Sequence, residues 1–481
     1  MKTKNRIGTI GILLVAIITF NSCEKEDLDP SSIPSVVLLD EIIGMTGTAI
    51  NIDAIGSDPD NNQLSFTWTI KVSPTNSSAT IVGNGNSASF NTNIAGYYEV
   101  EVTANNGKGG KASNIVKLYI GGVLSNSITT DTTLPDLFED EKYPDYYALT
   151  TIQVRAGLTL LPGVVIESGA DVRLWFNGNP SYINAVGTSA KNIIFRGINK
   201  VKGSWGLIHI GSNNLNNKFD YVQIMHTGSS EVSNKKTAVL VQSNVSGRLS
   251  IKNTNISLSD GYAMYIDGNI GTFSEFSNNN FSNNTLAPMR IGAEALLAID
   301  KSSVYTNNGI QAIEVVSSGN TNVRFDNAGM IKNVGIPYHF LSSAELRSTI
   351  TFEAGVTCFF NAGLGLWIPS DGVIIADGTA TDKVTFSGMT QAHGAWKGIE
   401  LGSPSTLNKI NYGIVSYGGD DAGRGGNIYM FGSTPGSKLI LTNSTISYSE
   451  TWGVQMASGN AQLTEDNNEY LYNALGNILQ N

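Results

Sequence analysis

The sequence predicts an all-β protein: a small N-terminal β-sandwich followed by a β-solenoid made of two duplicated halves. Three observations lead there. The 481-residue chain carries 52 glycines and only 15% charged residues, and it shows almost no helix-period pattern. The stretch AVGTSAKNIIFRG at 185–197 returns as ADGTATDKVTFSG at 376–388, so a long segment is duplicated. Asn-rich short strands also recur within one half, NTNISLS with Ile256, NNNFSNN with Phe281 and KSSVYTNN with Val304. A period in the low twenties, with Gly/Asn turns and no helix between strands, is the mark of stacked β coils.

The first 22 residues form a signal peptide, with Lys2, Lys4 and Arg6 ahead of the apolar run IGTIGILLVAIITF. That run is shorter than the roughly 20 apolar residues of a membrane-spanning helix. The stretch FNSC at 20–23 resembles the lipobox of bacterial lipoproteins, which implies cleavage before Cys23 and acylation of its thiol. Residues 23–32 then read as an acidic tether, and EKEDLDP resembles the export signal of Bacteroidetes-type surface lipoproteins. The implied location is the outer membrane, lipid-anchored and facing the cell exterior, so the membrane is a partner through the lipid. Removing residues 1–22 takes away three of the 30 basic residues and none of the 40 acidic ones, which leaves a net charge of −13. Such a chain repels nucleic acid and anionic lipid. Cys23 and Cys358 are the two cysteines, so no internal disulfide framework exists, and Cys358 in VTCFF reads as a small core residue.

Residues 33–122 read as the sandwich, because TAINIDA, LSFTWTI and GYYEVEVTA alternate and are broken by turn clusters. Leu64, Phe66 and Trp68 would share the buried face. SDPDNNQLSFTW and GYYEVEVTANNGKGG resemble the PKD and cadherin-like immunoglobulin superfamily, which implies a spacer or a glycan- or protein-contact module. Asp58 and Asp60 sit in the loop where some relatives bind calcium. Two carboxylates fall short of the 6–8 oxygens Ca²⁺ takes, so turn-forming aspartates are expected there, with Ca²⁺ the alternative. Residues 123–144 read as a linker or cap.

From 145 to 481 the duplication is continuous. LTLLPGVVIESGADVRLWFNG (158–178) is echoed by ITFEAGVTCFFNAGLGLWIPS (350–370), and GSWGLIHIGS (203–212) by GAWKGIELGS (394–403). The offset is 190 to 192 throughout, giving halves of about 150–340 and 341–481. Asparagines at equivalent turns are expected to form hydrogen-bonded ladders. LTLLPGVVI, AVGTSAKNIIFRG and GSWGLIHIGS resemble the signatures of bacterial right-handed parallel β-helix proteins of the pectin-lyase-like type. At roughly 24 residues per coil, about 14 coils would make a rod on the order of 65 Å long. The final run EYLYNALGNILQN reads as a cap.

Enzymes of the resembled fold are polysaccharide lyases and hydrolases, which need a base with a cation, or two flanking carboxylates. The best cluster for such chemistry is YGGDDAGRGG, with Asp420, Asp421 and Arg424, and it is equally an ordinary Gly-rich loop. The four histidines are scattered; His209 aligns with Glu400 and His226 with Tyr417, so the duplicated frame requires neither. Alternation instead turns Trp175, Trp367, Trp205 and Trp396 outward, where aromatic faces can stack on sugar rings or fold over coil edges. The expected function is a surface binding or adhesion protein that contacts glycans, or surface proteins, without catalysis. The alternatives are a polysaccharide lyase or glycoside hydrolase, and a structural stalk or complex subunit.

Overall fold

The computed structural model describes residues 32–480 apart from 233, 267, 318–320, 421–423 and 458. The segments read as signal peptide and tether, with Cys23, lie outside the described residues except for Ser32. What is described is all-β, dominated by long parallel sheets, with one short α-helix at Ala293–Ala298.

The N-terminal region is mostly antiparallel. Strands Ser65–Val72, Gly96–Asn105 and Lys111–Val123 lie side by side, and Ile50–Asp53, Ser87–Asn91 and Thr80–Asn84 form a second, three-stranded sheet. Strict period-2 alternation along Gly96–Asn105 points Tyr98, Val100 and Val102 inward. With Phe90, Val116, Leu118 and Ile120 they form a buried cluster. Leu64, Phe66 and Trp68 pack against that cluster, as alternation predicts, but stay half-buried because Ser65–Val72 is an edge strand.

Beyond it the chain visits three parallel sheets in rotation. The first visited in each turn is the long face, where fourteen described strands follow in line from Ser127–Ile128 to Glu469–Leu471. The second face is a six-stranded sheet that ends at Thr272–Ser277, then the helix Ala293–Ala298, then a seven-stranded sheet that opens at Val323–Phe325. The third face holds the strands from Tyr146–Ala148 to Val304–Thr306, followed by a six-stranded sheet from Gly329–Ile331 onward. The segment read as linker contributes the first strands, Ser127–Ile128 and Thr132–Leu134. Strand Lys111–Val123 pairs in parallel with Tyr146–Ala148, so one sheet runs from the N-terminal region into the winding. The run read as a cap is likewise in register, with Glu469–Leu471 on the long face and Gly476–Gln480 on the second.

The inward side chains of successive strands form one continuous core, from Ile128 through Phe176, Phe281 and Phe360 to Met456. Complete burial of such side chains contributes roughly 1.5–3 kcal/mol apiece. At the turns, Asn253, Asn278, Asn283 and Asn307 adopt positive φ, which asparagine tolerates through local hydrogen bonding. The expected ladder forms next to them: Asn284 Nδ2 donates to Asn308 Oδ1 at 2.9 Å, and Ser259 N donates to Asn284 Oδ1 at 3.0 Å.

The two copies repeat each other's internal bonds. Ser212 Oγ donates to the Ser181 carbonyl at 2.7 Å, and Ser403 Oγ to the Gly372 carbonyl at 2.6 Å. They do not repeat each other's placement. Val165–Ser168 belongs to the third face, while its counterpart Thr357–Phe360 belongs to the long face. Arg173–Asn177 belongs to the long face, while Gly365–Ile368 belongs to the second. The second copy is therefore turned one face further round the winding, and the break lies where the helix takes a strand's place.

Candidate binding groove

The turn of the second copy brings Trp367 to the second face. In Gly365–Ile368, Leu366 and Ile368 enter the core and Trp367 points away from it, half-buried. Parallel register sets Trp367 beside Glu400 and Glu400 beside Tyr429 on successive coils. Phe431 follows two residues on, and its ring meets Trp367 edge-to-face with centroids 5.1 Å apart. Tyr429 packs edge-to-face on Phe431 at 4.9 Å. Between these rings and the previous coil lies a groove of about 400 Å³, completed by Asn322, Ser343, Gly365 and Lys397. Arg424 leans in from the loop: its Nη1 lies 3.3 Å from Glu400 Oε1, and its guanidinium sits 5.2 Å over the Phe431 ring.

Of the predicted loop cluster, Arg424 reaches the groove and Asp420 does not line it. Asp420 Oδ2 accepts the Gly363 N–H at 3.1 Å, and its own N–H reaches the Trp396 carbonyl at 3.3 Å. This fastens the loop to the turn before the Trp367 strand. Asp421 lies outside the described residues. Among the described lining residues Glu400 is the single carboxylate, and it faces Arg424. The groove thus offers apolar ring faces with a few convergent polar groups, the composition of a ligand site.

At the equivalent place in the first copy the protein's own side chains lie against the tryptophan, which is half-buried like Trp367. Trp175 also points off the core, with His209 stacked on it at 5.6 Å and 14°. Arg173, where the second copy has Gly365, carries its guanidinium 5.8 Å over the Trp175 ring. His209 points off the core like Trp175, yet is only 5% exposed. Its Nε2 lies 3.1 Å from Gln242 Oε1. Burial, with Arg173 nearby, pushes His209 down to about 4, so the ring is neutral.

Trp205 and Trp396 do not face outward. Both are 0% exposed, and each indole N–H donates to a carbonyl twenty residues on, Met225 at 2.7 Å and Ser416 at 2.8 Å. They lie before the strands Leu207–Gly211 and Gly398–Leu401, in turns where strand alternation no longer applies. Their rings close coil corners and are unavailable to a ligand.

Asp58 is a turn residue. Its Oδ1 accepts from Asp60 N, Asn62 N and Asn62 Nδ2, and its Oδ2 accepts from Asn106 Nδ2, all within 3.0 Å. These bonds hold its carboxyl below the usual aspartate range, and Asp60 contributes its backbone to that turn. Among the described residues no group of three or more His, Cys, Asp or Glu side chains could hold a metal ion. A larger hollow of about 710 Å³ lies between Ile55, Leu64, Phe66 and Asn86. It is broad and open, and Asp58, its one ionisable lining residue, is already saturated, so the smaller groove is the better candidate.

Alternation alone would have found most of what the tryptophan pattern missed. In IYMF, Ile428 and Met430 point in, which leaves Tyr429 and Phe431 out beside Glu400. Lys397 and Gly365 carry no such signal, since their role depends on which coils adjoin. No family model matches this chain, and no curated protein matches it.

Proposed function

We propose that this protein is a lipid-anchored surface protein of the outer membrane that binds glycans through its winding without chemical turnover. In this reading the N-terminal region is a PKD/immunoglobulin-like sandwich, and the winding is a right-handed parallel β-helix of the pectin-lyase-like type. Acylated Cys23 holds the chain at the membrane, facing the exterior. The observation that carries the reading is the groove at Trp367: an aromatic floor and wall, polar groups at its margin, and a counterpart in the first copy against which the protein's own side chains lie. Aromatic faces stack on the apolar faces of sugar rings, and the flanking amide, hydroxyl and carboxylate suit sugar hydroxyls. A hydrolase of this class needs two carboxylates about 5–9.5 Å apart, and Glu400 is the one on the described lining.

The test is affinity electrophoresis of the full chain through gels containing soluble polysaccharides, with reducing ends and unsaturated uronates assayed alongside. Retardation with intact glycan supports the reading. New reducing ends or unsaturated products would make the protein an enzyme and overturn it.

A further inference from the structure

We propose, resting on the glycan reading above, that the groove selects a saccharide bearing a protonated amine. The geometry already places a cation there. The Arg424 guanidinium lies over Phe431 and against Glu400, and its side chain is 53% exposed; among the described residues these two contacts hold it. An exposed ion pair of this kind contributes little to stability, so a ligand can displace it at small cost. The first copy repeats the pattern with different residues, since Arg173 covers the equivalent tryptophan. Both tryptophan sites are therefore served by a guanidinium of the protein's own, on a ring face whose quadrupole attracts cations. In the second copy a carboxylate stands where the first has neutral His209, so the counter-charge for a bound cation exists only in the open groove. The whole chain, with 40 acidic against 30 basic residues, draws cations toward it.

Lys397 opposes this arrangement and makes it decidable. Its stem packs beside Gly365, where an added Cβ would lie 3.1 Å from Lys397 Cβ, and it lines the groove. For an aminated ligand Lys397 and Arg424 are competitors and Glu400 is the counter-ion. For an anionic ligand the two cations would be the binding groups and Glu400 the obstacle. The two cases give opposite signs for the same substitutions.

The experiment is titration calorimetry of the full chain with glucosamine oligomers, N-acetylglucosamine oligomers and galacturonate oligomers, at a pH where the amine is protonated. The expected result is binding of the glucosamine oligomer about tenfold tighter than the acetylated one. Arg424→Gln and Lys397→Gln should tighten it, and Glu400→Gln should weaken it about tenfold or more. Equal binding of acetylated and free-amine oligomers overturns the charge selection and leaves the glycan reading standing. So does galacturonate binding that Arg424→Gln weakens. If no oligomer binds here and no polysaccharide retards the protein, both proposals fall.

Discussion

The two copies share a scaffold and differ at the tryptophan they both turn off the core. In the first, Arg173, His209 and Gln242 close over Trp175; in the second, Gly365, Glu400 and Phe431 leave Trp367 at the edge of a groove. The internal bonds around Trp205 and Trp396 are the same within 0.1 Å, so the fold demands the buried tryptophans and not the outer ones. The difference separates residues that build a coil from residues that the coil merely displays. Function lives in the second set, because architecture alone selects no ligand.

The largest expected effect tests the shared part. Trp205→Ala and Trp396→Ala each delete a fully buried indole and orphan a carbonyl, and each should cost about 3–5 kcal/mol. Urea denaturation followed by circular dichroism should show the two losses within about 1 kcal/mol of each other. A tolerated Trp396→Ala beside a damaging Trp205→Ala would mean that the copies are not equivalent scaffolds.

A smaller effect sharpens the contrast at the groove. Gly365→Arg copies the first copy's Arg173 into the second, and in protein shown to be folded by circular dichroism it should weaken glycan retardation about tenfold, or roughly 1.4 kcal/mol. Unaltered retardation would show that the opening beside Trp367 does not matter.

The smallest effect concerns acid. His209 has a folded value near 4 against an ordinary 6.5, so the unfolded chain takes up the proton first as the pH falls. Stability is then fully present above about 6.5 and is lost between 6.5 and 4. His209→Gln should flatten that part of the stability profile, measured as urea midpoint against pH. The same slope in wild type and variant would contradict the burial of a neutral ring.

Much of this was legible in the sequence, for physical reasons. Period-2 alternation identifies Leu174, Phe176, Ile208 and Ile210 as core, and all four are. The duplication is visible because turns and core positions repeat at one offset. The turn of the second copy was not legible: at about 24 residues per coil, an offset near 192 passes for about eight whole coils. Coil length varies through loops, and the three faces share one alternation, so no residue pattern tells one face from the next. Trp205 and Trp396 were misplaced because alternation was carried across a turn, where backbone direction changes and the parity of facing is lost. The Asp-Asp-Arg loop shows the same limit. Its composition suggests a site, yet only the contact geometry separates Asp420, which ties down the loop, from Arg424, which enters the groove.

The central claim is that the tryptophan lining the groove binds and its counterpart beside Arg173 and His209 does not. Its most direct test is affinity electrophoresis of Trp367→Ala and Trp175→Ala beside the parent protein, in a gel containing a polysaccharide that retards the parent. Loss of retardation in Trp367→Ala alone, with both variants folded, is the predicted result. Equal loss in both, or retention in Trp367→Ala, would contradict it.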